Sequence, residues 1–172
     1  TSEFLRLARY ETDNTTEFLK ELPMNPFGDG PSDSQEALIY ILDRLERTIK
    51  LSAFTGEVTQ TVIYPNGRSV YKTPCTVWFH QDKDDIVSNY EDSNGKVHHV
   101  AAIQRELTKV PEVLVSDKIS DELFGKKLTG IVHWSMGHYV AFVKKDGEWY
   151  CANDAHISKA TPIMKGYIGF YI

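Results

Sequence analysis

The period of the hydrophobic pattern changes near residue 53, and this change limits the folds open to the chain. Before it, apolar residues recur at helical spacing in a stripe formed by Leu38, Ile41, Leu42, Leu45 and Ile49. Ser32 and Gln35 match a capping box that would start this helix. After it, short β-branched and aromatic runs alternate with turn residues, which predicts strands. Helices followed by antiparallel strands are typical of an α+β fold.

The 172 residues are enough for one core, so we predict a single domain over residues 1–172. Its helical part would cover about 1–52 and its mainly β part about 53–172. Within the β part, Pro65-Asn66-Gly67 predicts a hairpin that joins strands 58–64 and 68–72. We also predict a strand at 76–80 and a short helix at 82–90. The remaining predicted strands cover 97–104, 112–115, 128–134, 138–145, 148–151 and 167–172.

Composition restricts the possible partners of the chain. The net charge of −5 argues against a nucleic-acid surface, which is expected to be basic. There is no apolar run of the roughly 18–20 residues that a membrane span needs, and the first residues lack the pattern of a signal peptide. Two cysteines and no CxxC pair suit a reducing compartment and provide no zinc site. We therefore expect an intracellular monomer, in cytoplasm or nucleus, without a metal or cofactor.

One predicted hairpin places a histidine and an asparagine together. His138 begins the first strand, Asp146-Gly147 makes the turn, and Asn153 ends the second strand. The two side chains are thus expected at the same end of one sheet. A histidine that acts as general base needs a neighbouring acceptor to fix its tautomer, and its partner nucleophile could be a cysteine. A lone strand-end histidine would usually be structural, but this placement favours catalysis.

Gly137-His138-Tyr139, followed by Trp149 and Asn153-Asp154, resembles the histidine box of ubiquitin-specific proteases. Other segments resemble further parts of that family and follow its order along the chain. Residues 31–38 are similar to its Gln-Gln-Asp-Ala-Gln/His-Glu-Phe-Leu box, although both leading glutamines and the phenylalanine are changed. Residues 110–115 resemble its Leu-Pro-x-x-Leu strand, while 128–134 and 167–171 resemble the strand before the histidine box and the closing strand.

The resemblance implies a papain-like fold with a helical lobe, an antiparallel palm sheet and reduced fingers. It implies thiol-dependent hydrolysis after the C-terminal glycine of ubiquitin or a ubiquitin-like protein, or at a similar Gly-rich site in a polyprotein. His138 carries over as general base, Asn153 as its orienting residue and Asp154 as a transition-state support. The residues that carry over to substrate binding are Gly137, Tyr139, Asp33 and Glu36, with Gly137 beside the substrate's Gly-Gly tail and Asp33 as a contact to that tail. Asp33 could equally serve only its helix dipole.

Two features of the family pattern are missing. The zinc-binding CxxC pairs of the fingers are absent, so we expect compact, metal-free fingers. The cysteine box is absent too, and we interpret Cys151 as a core thiol and Cys75 as part of a finger-like strand. Three explanations stay open: a chain truncated before its nucleophile, an inactive ubiquitin-binding or scaffold module, or a compressed box in which Ser2 replaces the cysteine. An unrelated α+β domain is a weaker alternative.

Overall fold

The computed structural model describes residues 38–40, 52–99, 101–154 and 156–172. The chain divides into two compact units, residues 1–51 and 52–172. In the first unit, residues 38–40 are helical, in agreement with the predicted helix, and the rest of the predicted helical lobe lies outside the described residues. In the part of the chain that is described, no helix is long and apolar enough to cross a membrane.

The second unit is built almost entirely from antiparallel strands, which confirms its predicted mainly β character. A 3₁₀ turn at Ser52–Phe54 precedes the first strand. The strands are β1 Gly56–Tyr64, β2 Gly67–Cys75, β3 Asp85–Val87, β4 Tyr90–Glu91, β5 Val97–His98, β6 Ala101–Lys109, β7 Leu114–Ser116, β8 Glu122–Leu123, β9 Lys126–Ser135, β10 His138–Lys145, β11 Glu148–Asn153, β12 His156–Lys159 and β13 Ile168–Tyr171.

These strands form one four-stranded and one seven-stranded sheet. The four-stranded sheet has the order β2-β1-β6-β3, and strands β4 and β5 form a separate two-stranded hairpin. The predicted β1–β2 hairpin is confirmed, with Tyr64 paired to Gly67 at its turn. The seven-stranded sheet has the order β12-β11-β10-β9-β13-β7, and β8 pairs with β9 beside this path.

Of the two hydrophobic clusters among the described residues, one joins the two sheets. The four-stranded sheet contributes Val58 and Leu107, and the seven-stranded sheet contributes a larger set, namely Leu114, Leu128, Ile131, Phe142 and Tyr171. Trp78 also belongs to this cluster. Tyr171 is fully buried, and its hydroxyl donates to the carbonyl of Lys118 and accepts from the N–H of Ser120. The second unit is therefore held together by packing shared between both sheets.

Two predicted elements are wrong. Residues 82–90 do not form a helix, because Asp85–Val87 pairs with β6 as an edge strand and Tyr90–Glu91 pairs with β5. Residues 76–80 do not form a strand: Trp78 makes a single parallel bridge to Ser116. Consecutive Val77 and Trp78 are both buried there, which breaks the in-out alternation that a strand on a core face requires.

Strand limits also differ from the sequence prediction elsewhere. The strand predicted at 97–104 is divided into β5 and β6, which belong to different sheets. Strands β8 and β12 were not predicted. All four residues of β12 are exposed, so neither face of this strand packs on the core. Its pairing with β11 sets its extended conformation.

Candidate active site

The β10–β11 hairpin sets the geometry of the candidate site. Its two-residue loop, Asp146-Gly147, has positive φ angles of 52° and 82°, as a type I′ turn requires. From this turn the ladder runs from Lys145 opposite Glu148 to Ala141 opposite Ala152. The local turn therefore fixes which residues of the two strands share a face of the sheet.

His138 and Asn153 lie on the same face, at the end of the hairpin away from the turn. Alternation puts His138 on the side of Phe142, and Asn153 on the side of Cys151, and Phe142 and Cys151 are direct partners across the ladder. Phe142 is buried in the core and Cys151 packs against it. His138 and Asn153 thus extend the core face to its rim, where His138 is 49% exposed.

The predicted histidine–asparagine contact is present. Nε2 of His138 lies 2.5 Å from Oδ1 of Asn153. Because an amide oxygen can only accept, the ring N–H that donates is on Nε2, and Nδ1 then carries the lone pair. Among the described residues, Nδ1 has no hydrogen-bond partner. This nitrogen is therefore the one that can accept a proton from a nucleophile.

Asp154 follows Asn153 and lies close to the same ring. Its Oδ2 is 3.9 Å from Nε2 of His138, and its side chain is 82% exposed. At this exposure, solvent limits the attraction between an ionised carboxylate and an imidazolium to about 1 kcal/mol or less. Asp154 has a positive φ of 51°, in the turn between β11 and β12. Asp154 can therefore attract a positive charge on the His138 ring, but only weakly.

The other predicted site residues fall in different places. Gly137 is the second residue of the β9–β10 turn, with φ of 81°, and no atom lies within 4 Å of the position that a Cβ would take. Glycine is therefore needed there for the backbone conformation. Tyr139 pairs with Trp134 and lies on the face opposite His138, with its ring 6.1 Å from that of Tyr167. Ser2, Asp33 and Glu36 lie outside the described residues.

Neither described cysteine is arranged as a nucleophile. The Sγ–H of Cys75 donates to the carbonyl of Val77 at 2.9 Å, and burial raises the pKa of this thiol. A raised pKa reduces the thiolate fraction on which reactivity depends. Cys151 is packed against the core, as expected of a structural thiol. Neither sulfur is bonded to His138 in the described part of the molecule.

The described residues contain no group of three or more histidine, cysteine, aspartate or glutamate side chains able to hold a metal ion. Sequence reasoning did not single out Met136, which is 99% exposed at the tip of the β9–β10 turn. The sequence signal that could have pointed to Met136 is the Met136-Gly137 pair immediately before His138, because this pair forms the whole two-residue turn.

The chain belongs to the ubiquitin carboxyl-terminal hydrolase family, because the model of that family matches residues 7–171. This confirms the family predicted from the motifs. No curated protein sequence matches the chain.

Two solved structures have a similar fold. One is the SAGA Ubp8/Sgf11/Sus1/Sgf73 DUB module bound to ubiquitin aldehyde, with 19% identity and a TM-score of 0.59 over 81% of this chain and 49% of that chain. The other is a SAGA DUB module that contains a point variant of Ubp8 and a shortened Sgf11, with 18% identity and a TM-score of 0.55 over 83% of this chain and 48% of that chain. The chain spans about half the length of the chains it matches, and at these identities the similarity concerns the fold alone.

Proposed function

We propose that this chain carries the histidine half of a thiol hydrolase that cleaves the peptide or isopeptide bond after the C-terminal glycine of ubiquitin or a ubiquitin-like protein. The observation that supports this most directly is the 2.5 Å contact between His138 Nε2 and Asn153 Oδ1 in a chain of the ubiquitin carboxyl-terminal hydrolase family. A similar fold bound to ubiquitin aldehyde is consistent with this class of substrate.

In the proposed reaction, Nδ1 of His138 takes the proton from a cysteine thiol, and the thiolate attacks the carbonyl carbon of the terminal glycine. The imidazolium then gives this proton to the leaving amine, and water hydrolyses the resulting thioester with the same ring as base. Asn153 keeps the Nε2–H tautomer and the ring orientation through both steps. Asp154 contributes a weak attraction to the imidazolium.

A second candidate is an inactive module of the same fold that binds ubiquitin without cleaving it. The observation that favours it is the position of the two described cysteines, of which one is held by a backbone carbonyl and the other packs on the core. In this reading His138 and Asn153 keep their contact but have no thiol to activate.

Ubiquitin that carries a C-terminal electrophile separates the two functions. We expect covalent labelling of a Ser2→Cys variant, detected as a mass shift, and its loss when His138→Ala is added. Ser93→Cys is the matched control, because it places a new thiol at an exposed residue of the β4–β5 hairpin.

Labelling of Ser2→Cys but not of Ser93→Cys would support the hydrolase. Binding of ubiquitin with no labelling of any variant would support the inactive module instead. A chain that neither binds ubiquitin or a ubiquitin-like protein nor reacts with the electrophile would contradict both candidates.

A further inference from the structure

A cavity of about 490 Å³ lies on the inner face of the four-stranded sheet, which is the face that carries Val58 and Leu107. Its volume is within the range of about 300–1,000 Å³ that is usual for small-molecule sites. The lining residues come from β1, β2, β6 and the segment that follows β2, and none belongs to the β10–β11 hairpin. The cavity is therefore separate from the contact between His138 and Asn153.

The path of the chain after β2 creates one wall of this cavity. At Cys75 the chain leaves the four-stranded sheet and crosses to the seven-stranded sheet, where the N–H of Trp78 donates to the carbonyl of Val115 at 2.8 Å. The thiol of Cys75 donates to the carbonyl of Val77 within this crossing segment. The wall therefore consists of mostly apolar side chains, from Cys75 to the exposed Phe79.

The sheet at the cavity breaks its own apolar pattern. On β1 and β6, the inward positions on either side of the middle of the strand are apolar and buried, namely Val58, Val62, Ile103 and Leu107. The middle positions are Gln60 and Arg105, which are direct partners across the ladder and line the cavity. A polar pair on an otherwise apolar face carries a desolvation cost. Such departures from a local pattern are expected at functional sites.

The polar groups around the cavity are mainly hydrogen-bond donors. Oε1 of Gln60 accepts from Nε of Arg105 at 3.2 Å, which leaves the two amide N–H bonds of Gln60 as donors. Thr73, the ladder partner of Val58, adds a hydroxyl to the lining. Trp78 is 5% exposed, and its indole N–H has no hydrogen-bond partner in the part of the chain that the structure describes, which is rare for a buried donor. The cavity therefore suits a ligand that brings an oxygen acceptor.

We propose that this cavity binds a small, uncharged organic molecule whose carbonyl oxygen accepts from the amide of Gln60 and the hydroxyl of Thr73. The apolar body of the molecule packs against the wall formed by the crossing segment. An uncharged ligand fits best because Nη1 of Arg105 already donates to Oδ2 of Asp85 at 2.5 Å, so the guanidinium charge is balanced. This binding site does not depend on the proposed hydrolase function.

The test is a titration of the full chain with N-phenylacetamide, followed by two-dimensional ¹H–¹⁵N NMR. This probe has an aromatic body and one carbonyl oxygen. N-ethylaniline, in which a methylene group replaces the carbonyl, is the matched control ligand. We expect saturable shifts of the Trp78 indole N–H and Gln60 side-chain amide signals. N-ethylaniline should bind about 5–10-fold more weakly, as for the loss of one hydrogen bond.

Variants of the chain locate the contact. Thr73→Val keeps the shape of the side chain but loses the hydroxyl, so N-phenylacetamide should bind about 3–10-fold more weakly. Gln60→Leu continues the apolar face and removes the amide donors, so saturable binding should be lost while the Tm stays equal or rises. Gln104→Leu makes the same exchange on the opposite face of β6 and should leave the affinity unchanged.

Equal affinities for N-phenylacetamide and N-ethylaniline, or parent-like binding by Thr73→Val and Gln60→Leu, would overturn the inference. Shifts that grow in proportion to probe concentration without saturation would also overturn it, because they indicate non-specific contact. Equal losses for Gln60→Leu and Gln104→Leu would place the probe outside the cavity and have the same consequence. Each of these results leaves the proposed hydrolase function standing.

Discussion

At the scale of single residues, the histidine and asparagine of the candidate site have unequal tasks. In the proposed mechanism, His138 exchanges the proton through Nδ1, whereas Asn153 only accepts from Nε2–H and holds the ring. Both lie at the exposed rim of the core face, so their side chains contribute little to packing. Changes at these two positions should therefore separate catalysis from stability.

In the Ser2→Cys variant, we expect His138→Ala to reduce the rate of labelling by ubiquitin electrophile by about 10²–10⁴-fold, the usual contribution of a general base. Asn153→Ala should cost less, and Asn153→Asp less again because a carboxylate still accepts from Nε2–H. The Tm of each variant checks the fold, since exposed substitutions usually change stability by about 0.5 kcal/mol or less. A loss for Asn153→Ala as large as that for His138→Ala would mean that the two roles are misassigned.

At the scale of elements, the β4–β5 hairpin is organised by one carboxylate. Oδ1 of Asp92 accepts from the N–H groups of Asn94 and Lys96, and Oδ2 lies 3.0 Å from Nε2 of the buried His98. The ring of Tyr64 stacks on His98 with centroids 3.9 Å apart. A hairpin with two-residue strands thus gains its order from side-chain bonds and stacking more than from its ladder.

This arrangement predicts a dependence of stability on pH. The hydrogen bond from His98, followed by those from the Lys96 and Asn94 backbone, lowers the pKa of Asp92. A carboxyl group whose pKa is lower in the folded state stabilises the protein above its unfolded pKa of about 4, and this contribution is lost as pH falls through the folded pKa. Asp92→Asn keeps an acceptor oxygen but not the charge, so its stability should fall less steeply with acid.

Thermal unfolding of Asp92→Asn and the parent between pH 6 and pH 2, in steps chosen around the unfolded aspartate pKa of about 3.9, measures this difference. Asp121→Asn is the control, because it removes an exposed carboxylate outside the hairpin. Parallel Tm curves for the parent and Asp92→Asn would show that the carboxylate has the same pKa in both states.

At the scale of the whole molecule, sequence reasoning succeeded where structure is local. The Asp146-Gly147 turn determines the β10–β11 pairing by itself, and with it the meeting of His138 and Asn153. It failed where pairing joins distant segments. The acidic residues at the start of segment 82–90 favoured a helix. Asp85–Val87 instead pairs with β6, some 15 residues later along the chain, and this tertiary pairing decides its conformation.

The nucleophile that would react with His138 shows the same limit of prediction from sequence. A nucleophile in a papain-like fold comes from a different element, so its identity depends on packing that neither spacing nor periodicity specifies. The sequence could therefore predict that one hairpin brings His138 and Asn153 together, and their roles as base and orienting residue stay predictions. It could not predict the residue that completes the site, and Ser2 stays a prediction.

Because both sheets share one core, we expect residues 52–172 to unfold as a unit. Leu107 of the four-stranded sheet and Phe142 of the seven-stranded sheet belong to the same buried cluster. Leu107→Ala should cost about 2–5 kcal/mol and Phe142→Ala about 3–5 kcal/mol. Each change should weaken hydrogen-exchange protection in both sheets, since the cavity in either sheet destabilises the core that holds the other. Glu106→Gln, next to Leu107 on the exposed face of β6, is the control. If Leu107→Ala reduced protection only in β1, β2, β3 and β6, the two sheets would be separate folding units and the shared cluster would be a contact between them, not a common core.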